Sequence, residues 1–500
     1  MSDLQALQNG SDIRGIAIAT EEYEANLTPA AVYQVASGIL HWLKQKAATP
    51  AKRWVIGIGQ DSRLSGDALK QSMIDSFLKQ GADVIDFGLA TTPAMFMSTQ
   101  FPQFACDAGI MLTASHLPYY FNGVKIFSQS GGAEKEDIQA ILANPTMLAS
   151  EVTGTLTKAD LITPYAQDLV EKIRRGIQGQ PEKPLTGLKI IVDAGNGAGG
   201  YFAEKVLQPL GADTTGSQFL EPDGHFPNHI PNPDNQEAMA SIQAAVLATG
   251  ADLGVIFDTD VDRSAVVTKS GEVLNRNNLI AVLSHIVLSE HPGSSIVTNS
   301  PTTDHLKEFI EALGGKQVRY ISGYRNVINK GIALNEAGID CQLAIETSGH
   351  AAFKENYFLD DGAYVIAKIL MLLPQLEKNN QTLEEMIATL KQPVETQEVR
   401  FKLEQTDYRT LGEQVIADLA EIQVAGWQVD PENEEGIRFK LSDGFGSGWF
   451  LLRMSLHEPL LVLQVENDQN GIIPLVLQEM HQFLNAYEKV NQEKLVALLN

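Results

Sequence analysis

Cysteine is almost missing from this chain, with Cys106 and Cys341 the only two in 500 residues. So few thiols exclude a disulfide framework and suit the cytoplasm, with both side chains expected to be packed inside. Long hydrophobic runs are missing too. No apolar stretch approaches the ~20 residues of a bilayer span, so no membrane is expected as a partner. The opening residues Met1-Ser2-Asp3-Leu4-Gln5 lack a basic stretch followed by an apolar one, and no secretory leader is expected there. Positive charge is scarce: 37 Lys and Arg stand against 62 Asp and Glu, a formal net charge of -25. That balance argues against nucleic acid as a partner. It also means that an anionic substrate must be drawn in by a local cationic site against the overall field.

What is present reads as a globular protein, with 44% hydrophobic and 20% charged residues. The length exceeds what one core supports and predicts several domains. Residues 53–59 read as a strand and 60–66 as a loop. The stretch 67–79 reads as a helix with Leu69, Met73, Phe77 and Leu78 on one face, closed by Gly81. A strand at 84–87 and a helix starting at Thr91-Thr92-Pro93 complete a β-α-β unit. The glycine-marked helix end recurs at 208–213 and 312–316, a period too long for a solenoid, which predicts three related α/β domains with mixed sheets. From about residue 391 the pattern changes: 398–403 and 436–441 alternate like half-exposed strands and 462–466 follows, which predicts a C-terminal α+β domain on an antiparallel sheet. The expected domains are 1–155, 156–272, 273–390 and 391–500.

Chemistry concentrates where strands end. The buried-looking strand 108–112 runs into Thr113-Ala114-Ser115-His116-Leu117-Pro118, which offers a hydroxyl, a titratable ring and, further on, Lys125. A Ser-His pair alone is equally an ordinary loop. Residues 251–257 form another expected strand, followed by Asp258-Thr259-Asp260-Val261-Asp262-Arg263. Three carboxylates on alternate residues of an extended loop suit a hard divalent cation and would repel one another without one. An EF-hand is excluded, because its sixth and twelfth positions are Arg263 and Lys269 rather than Gly and Glu. Strand 343–345 ends in Glu346-Thr347-Ser348-Gly349-His350, whose polar groups can meet sugar hydroxyls. Early in the chain, Asn9-Gly10-Ser11-Asp12-Ile13-Arg14-Gly15, with two glycines around an Asp and an Arg, predicts a tight turn presenting a charge. A rival signal is Gly195-Asn196-Gly197-Ala198-Gly199-Gly200 after a strand, with Glu221 downstream, a formally acceptable dinucleotide fingerprint.

Taken in order, these strings resemble the α-D-phosphohexomutases, the phosphomannomutase and phosphoglucomutase enzymes. The Ser115 string resembles their TASHNP phosphoserine loop, with Leu117 in place of Asn. The Asp258–Arg263 string resembles their DGDADR magnesium loop. The string ending at His350 resembles GEMSGH, with Ile345 for Gly and Thr347 for Met. Residues 453–459 resemble RPSGTEP, with Leu456 and His457 for Gly and Thr and no basic residue after Pro459. Gly323-Tyr324-Arg325 and residues 223–229 resemble further family strings. The resemblance implies four domains around a central active-site cleft, Mg2+ as cofactor, hexose phosphates as substrates and a phosphoserine enzyme working through a bisphosphorylated sugar. It implies Asp258, Asp260, Asp262 and Ser115 as metal ligands and Arg263 and Arg14 as partners of the reacting phosphate. Lys125, His116 and His350 would be the proton-transfer candidates, Glu346 and Ser348 the sugar ligands, and Arg325, Arg453 and Ser455 the grip on the non-reacting phosphate. A glycine-rich run at 444–448 could offer backbone donors to an anion instead. Phosphoglucosamine mutase, a metal-dependent sugar phosphatase and a non-catalytic sugar-phosphate-binding protein stand as alternatives, and the state as monomer or homodimer.

Overall fold

Three short runs, Val55–Gln60, Asp83–Leu89 and Ala108–Leu112, pair in parallel because helices join them, and a crossover is the only way to bring such strands side by side. The computed structural model describes residues 4–46, 53–456 and 458–499. Residues 1–3 of the chain's opening and His457 of the C-terminal loop lie outside the described residues. Contacts divide the chain into two compact units, Met1–Leu279 with Ser348–Glu385, and Ile280–Thr347 with Met386–Asn500.

In the first unit the parallel strands extend into a mixed sheet. Phe121–Ser128 runs antiparallel to Ala108–Leu112, and Asp12–Ile16 antiparallel to Phe121–Ser128. Helices Pro29–Lys46, Gly66–Lys79 and Lys135–Ala143 share one core with Ile56, Ile58, Val84, Ile110 and Leu112. The other face is made of small residues. A Cβ on Gly109 would lie 2.2 Å from the Met95 carbonyl oxygen, and one on Gly59 2.7 Å from Met95 Sδ. The short helix Thr92–Met97 therefore lies directly on the sheet. A second sheet has the order Val273–Leu274, Ser264–Thr268, Leu253–Phe257, Ile190–Asp193, the last two parallel. Segment Ser348–Glu385 adds the antiparallel pair Ala351–Phe353 and Leu359–Asp360 and the helix Gly362–Lys378.

The second unit holds a parallel sheet of Lys316–Tyr320, Ser295–Asn299 and Cys341–Ile345. It also holds an antiparallel sheet ordered Glu395–Lys402, Leu460–Asn467, Gly448–Met454, Ile437–Leu441, Trp427–Val429. Gly448–Met454 is invisible as an alternating pattern because it is a central strand with Trp449 to Leu452 all buried, and burial on both faces erases the period of two. It also takes in Gly448, the end of the glycine-rich run, whose Gly444 and Phe445 lie in the turn Asp443–Phe445. Two helices close the chain, Ile473–Leu484 and Glu493–Leu499. Gly81, Gly211 and Gly314 end their helices at φ 84, 94 and 83°, the shared mark of the three α/β units. Both cysteines are buried, and burial pushes the Cys106 thiol up to about 12. Among the described residues no helix is long and apolar enough to cross a membrane.

Candidate active site

Ala108–Leu112 is buried along its whole length, and the chain leaves its carboxyl end into the Ser115 loop. Ser115 is itself buried and takes the left-handed region, φ 51°, with its N–H donating to Thr113 Oγ1 at 3.0 Å. A residue other than glycine stays there only when its surroundings hold it. Here Arg63, with a side chain 0% exposed, donates to the carbonyls of Ser115, Leu117, Pro118 and Phe121 at 2.5, 2.6, 2.9 and 3.0 Å. Its Nε lies 3.4 Å from Asp61, whose own carboxyl burial pushes up to about 6 against the pull of Arg63.

The aspartate loop connects strands Leu253–Phe257 and Ser264–Thr268, with Phe257 opposite Ser264. The extended course expected of it is not what the structure has. Asp258 N–H donates to Arg263 O, Val261 N–H to Asp258 O, and Val261 sits at φ 66°. Six residues must reverse the chain between paired strands, so the loop is tightly turned, and the turn brings the three carboxylates together.

Both loops meet at Ser115. Its Oγ donates to Asp258 Oδ2 at 3.0 Å and accepts from Arg263 Nη2 at 2.8 Å. Arg263 also donates to Asp258 through Nε at 3.1 Å and to His116 Nδ1 at 2.7 Å. Lys125, in register with Met111 on the neighbouring strand, donates to Asp260 at 2.9 Å and to Asp262. Thr92 donates to Asp260 through its hydroxyl, and its N–H reaches the Asp260 carbonyl at 2.9 Å. His350 lies 3.9 Å from Asp262 and 2.5 Å from Asp360, and pairs its backbone with Arg263. Arg14 sits on the strand beside Gly123, ion-paired to Asp12 at 3.0 Å.

Ligand oxygens of Asp258, Asp260 and Asp262 lie within 4.8 Å of one another, and Asp260 Oδ1 and Asp262 Oδ1 are buried without a hydrogen-bond partner among the described residues. An all-oxygen set with unsatisfied buried oxygens fits a hard divalent cation. Burial and then its aspartate neighbours hold Asp258 well above the usual carboxylate range. Burial alone would raise Asp262 as well, but Lys125 and His350 hold it well below. His116 is pushed well below its ordinary value by burial and then by Arg263, and so stays neutral. Burial opposes the charged form of His350, yet Asp360 and Asp262 overcome it and push the ring up to about 9.

In the second unit, Glu346 Oε1 accepts from Gly323 N–H at 2.7 Å, and Arg325 donates to Asn329 at 3.1 Å. A Cβ on Gly323 would lie 3.4 Å from Leu456 Cδ1, so the turn bearing Arg325 and the C-terminal loop are neighbours. Arg453 is the penultimate residue of its strand, 3.9 Å from Glu435, and Glu435 also takes the hydroxyls of Ser322, at 2.6 Å, and Ser300. Ser455 N–H closes the hairpin onto Leu460 O at 2.9 Å. Ser348 belongs to the first unit, its hydroxyl buried and unpaired among the described residues.

The glycine-rich turn at 195–200 has another use than a dinucleotide. A Cβ on Gly197 would meet the Thr259 carbonyl at 2.6 Å, and Ala198 N–H donates to that oxygen at 2.8 Å. A backbone donor and the space around it are thus spent on supporting the aspartate loop, which removes the basis for a pyrophosphate cradle. Sequence reasoning missed Arg63, Thr92, Asp360 and Glu435. Only Thr92, second of the two threonines at the head of a helix, carried any local signal.

Three family descriptions match the chain: phosphoglucomutase/phosphomannomutase alpha/beta/alpha domain I over residues 5–148, domain II over 164–271 and domain III over 275–393. The phosphomannomutase/phosphoglucomutase of Pseudomonas putida is 32% identical over 421 residues, 83% of this chain and 84% of that protein. This chain belongs to the phosphoglucomutase/phosphomannomutase family. The phosphoglucomutase of Neisseria gonorrhoeae is 31% identical over 92% of this chain and 93% of its own. Among solved structures, a family protein from Burkholderia thailandensis superposes with a TM-score of 0.78 at 26% identity, covering 96% of this chain and 97% of that one. The three α/β domains are those of the phosphohexomutases, and the enzyme class is isomerase.

Proposed function

We propose that this phosphohexomutase interconverts the 1-phosphate and 6-phosphate of glucose and of mannose by two phosphoryl transfers at Ser115. The supporting observation is the Ser115 hydroxyl held between Arg263 at 2.8 Å and Asp258 at 3.0 Å, beside a buried carboxylate triplet. In the first transfer the bond from Ser115 Oγ to phosphorus breaks and a bond to a sugar hydroxyl oxygen forms, while a proton is given to the departing Ser115 Oγ and replaced by the one the sugar hydroxyl loses. The bisphosphorylated sugar then turns around and returns its other phosphoryl to Ser115.

Phosphoryl transfer asks the protein for positioning and charge neutralisation. Asp258, Asp260 and Asp262, with Ser115, would hold Mg2+, which when bound neutralises charge on the phosphoryl oxygens. Arg263 steadies the same oxygens, and Arg14 supplies a further cation. His116, neutral and accepting from Arg263, orients that guanidinium. His350, protonated at neutral pH beside Asp360, and Lys125, bridging two aspartates, are left to move the hydroxyl proton. Glu346 and Ser348 are assigned to the sugar, and Arg325, Arg453 and Ser455 to the second phosphate. The domains would divide as 1–155, 156–272, 273–390 and 391–500, each bearing one loop. We place the enzyme in the cytoplasm on its cysteine usage, as a monomer or homodimer.

The test is mass spectrometry of the purified protein together with a coupled assay from glucose 1-phosphate. Phosphate on Ser115 and glucose 6-phosphate as product support the mutase. Glucose and inorganic phosphate as the products, with no glucose 6-phosphate, would instead mean a phosphatase.

A further inference from the structure

Arg63 stands outside the chemistry, yet among the described residues no other side chain grips the Ser115 loop so completely. We infer that Arg63 is a positioning residue, which holds the Ser115 backbone in its left-handed conformation and thereby aims Oγ at the reacting phosphate. The inference rests on the mutase reading above. Four carbonyls, those of Ser115, Leu117 and Pro118 in the loop and of Phe121 where the next strand begins, converge on the two terminal nitrogens of this one guanidinium. Asp61 fixes the guanidinium from behind, through Nε at 3.4 Å, and accepts from the Arg63 N–H at 2.9 Å. The Phe226 ring covers it 5.3 Å from its centre. Gly224 seals the contact, since a Cβ there would lie 2.5 Å from the Ser62 carbonyl oxygen. The donors therefore cannot swing away, and the cost of φ 51° at Ser115 is met by bonds to its own carbonyl and to its neighbours.

Lysine keeps the charge opposite Asp61 but concentrates its donors on one nitrogen, which cannot span four carbonyls. The experiment is single-turnover transfer from enzyme phosphorylated with glucose 1,6-bisphosphate, wild type against Arg63→Lys. Amplitude is normalised to phosphate on Ser115. Because displacement by about an ångström costs up to ~100-fold, the expected result is a rate constant lowered about ten- to a hundredfold at unchanged normalised amplitude. A merely structural role would lower the yield of folded protein and leave the rate constant alone. A wild-type rate constant in Arg63→Lys overturns the inference. Should that variant not fold, Asp61→Asn, which leaves all four carbonyl bonds possible but frees the guanidinium, decides: a slower rate constant supports the inference and an unchanged one overturns it. Wild-type enzyme that acquires no phosphate on Ser115 would overturn the mutase reading itself, a distinct outcome.

Discussion

At the scale of single residues, Ser115 is the sharpest case. With its Oγ between Arg263 and Asp258, Ser115→Ala should abolish turnover while leaving the far-ultraviolet circular dichroism unchanged. More than a few per cent of wild-type rate would put the phosphoryl carrier elsewhere. Asp260 combines a buried unpartnered oxygen with bonds from Lys125 and Thr92. On the proposed metal site, Asp260→Asn removes one of three anionic ligands, so the Mg2+ concentration for half-maximal activity should rise at least tenfold, read by titration. A third case concerns pH. His229 Nε2 lies 2.9 Å from Asp193, and although burial disfavours its charge, the bond to Asp193 raises its pKa above 6.5. A raised folded-state value stabilises fully below the unfolded value and is lost as pH climbs through the folded one. His229→Gln should therefore lower the unfolding midpoint at pH 6, by the equivalent of about 1–2 kcal/mol, and differ less from wild type at pH 8.5. Equal gaps at both values would mean that His229 is neutral.

At the scale of elements, the helix Thr92–Met97 shows what a sequence conceals. Its start was legible from Thr91-Thr92-Pro93, and the Thr91 side chain does accept from Ala94 N–H at 3.2 Å. Its purpose was not legible, because Thr92 meets Asp260 across 168 positions of chain. The same limit hid Arg63, whose partners lie 52 to 58 positions away. Loops at strand ends could be read because their chemistry is consecutive: Ser115 with His116, and three aspartates with Arg263. Turn geometry could not, so the aspartate loop read as extended when paired strands force it to reverse. The glycines under the short helix give a test. Gly109→Ala would press a methyl carbon against the Met95 carbonyl, a backbone atom that cannot step aside. Overpacking of this kind costs ~1–3 kcal/mol, and the helix should lift, carrying Thr92 off Asp260. Both a lower melting temperature and a higher Mg2+ requirement are expected together. A lower melting temperature alone would show that Thr92 contributes nothing to the aspartate site.

At the scale of the molecule, linear order divides the chain more simply than packing does. Segment Ser348–Glu385 groups with the first unit because Gly362 lies against Arg263, where a Cβ would come within 2.7 Å of its carbonyl carbon, and because His350 pairs with Arg263. In the second unit the link between its two sheets is equally non-local, and it is ionic. Arg438, on a strand of the C-terminal sheet and 0% exposed, donates to Ser300 O at 3.0 Å, Thr302 O at 3.2 Å and Asp304 at 2.9 Å. Trp449 covers its guanidinium at 3.7 Å, and Arg319 shares both Asp304 and Asp430 with it. Burial draws Arg438 down to about 10, yet it stays charged at neutral pH. A buried pair adds little net stability against an apolar replacement, but removing one partner leaves an uncompensated charge and costs ~3–5 kcal/mol. Arg438→Ala leaves the buried Asp430 and the half-buried Asp304 to Arg319, with Lys440 3.9 Å from Asp430, and strips three bonds from the junction between the sheets. The exposed connection at 391–394, where Val394 is 61% exposed, should then become the preferred point of limited proteolysis. The fragment beginning there should accumulate, while the fraction of Ser115 that takes up phosphate from glucose 1,6-bisphosphate stays at the wild-type level, since Ser115 lies in the other unit. Wild-type resistance to protease in Arg438→Ala would mean that apolar packing alone joins the two sheets, and that the ionic cluster contributes orientation without cohesion.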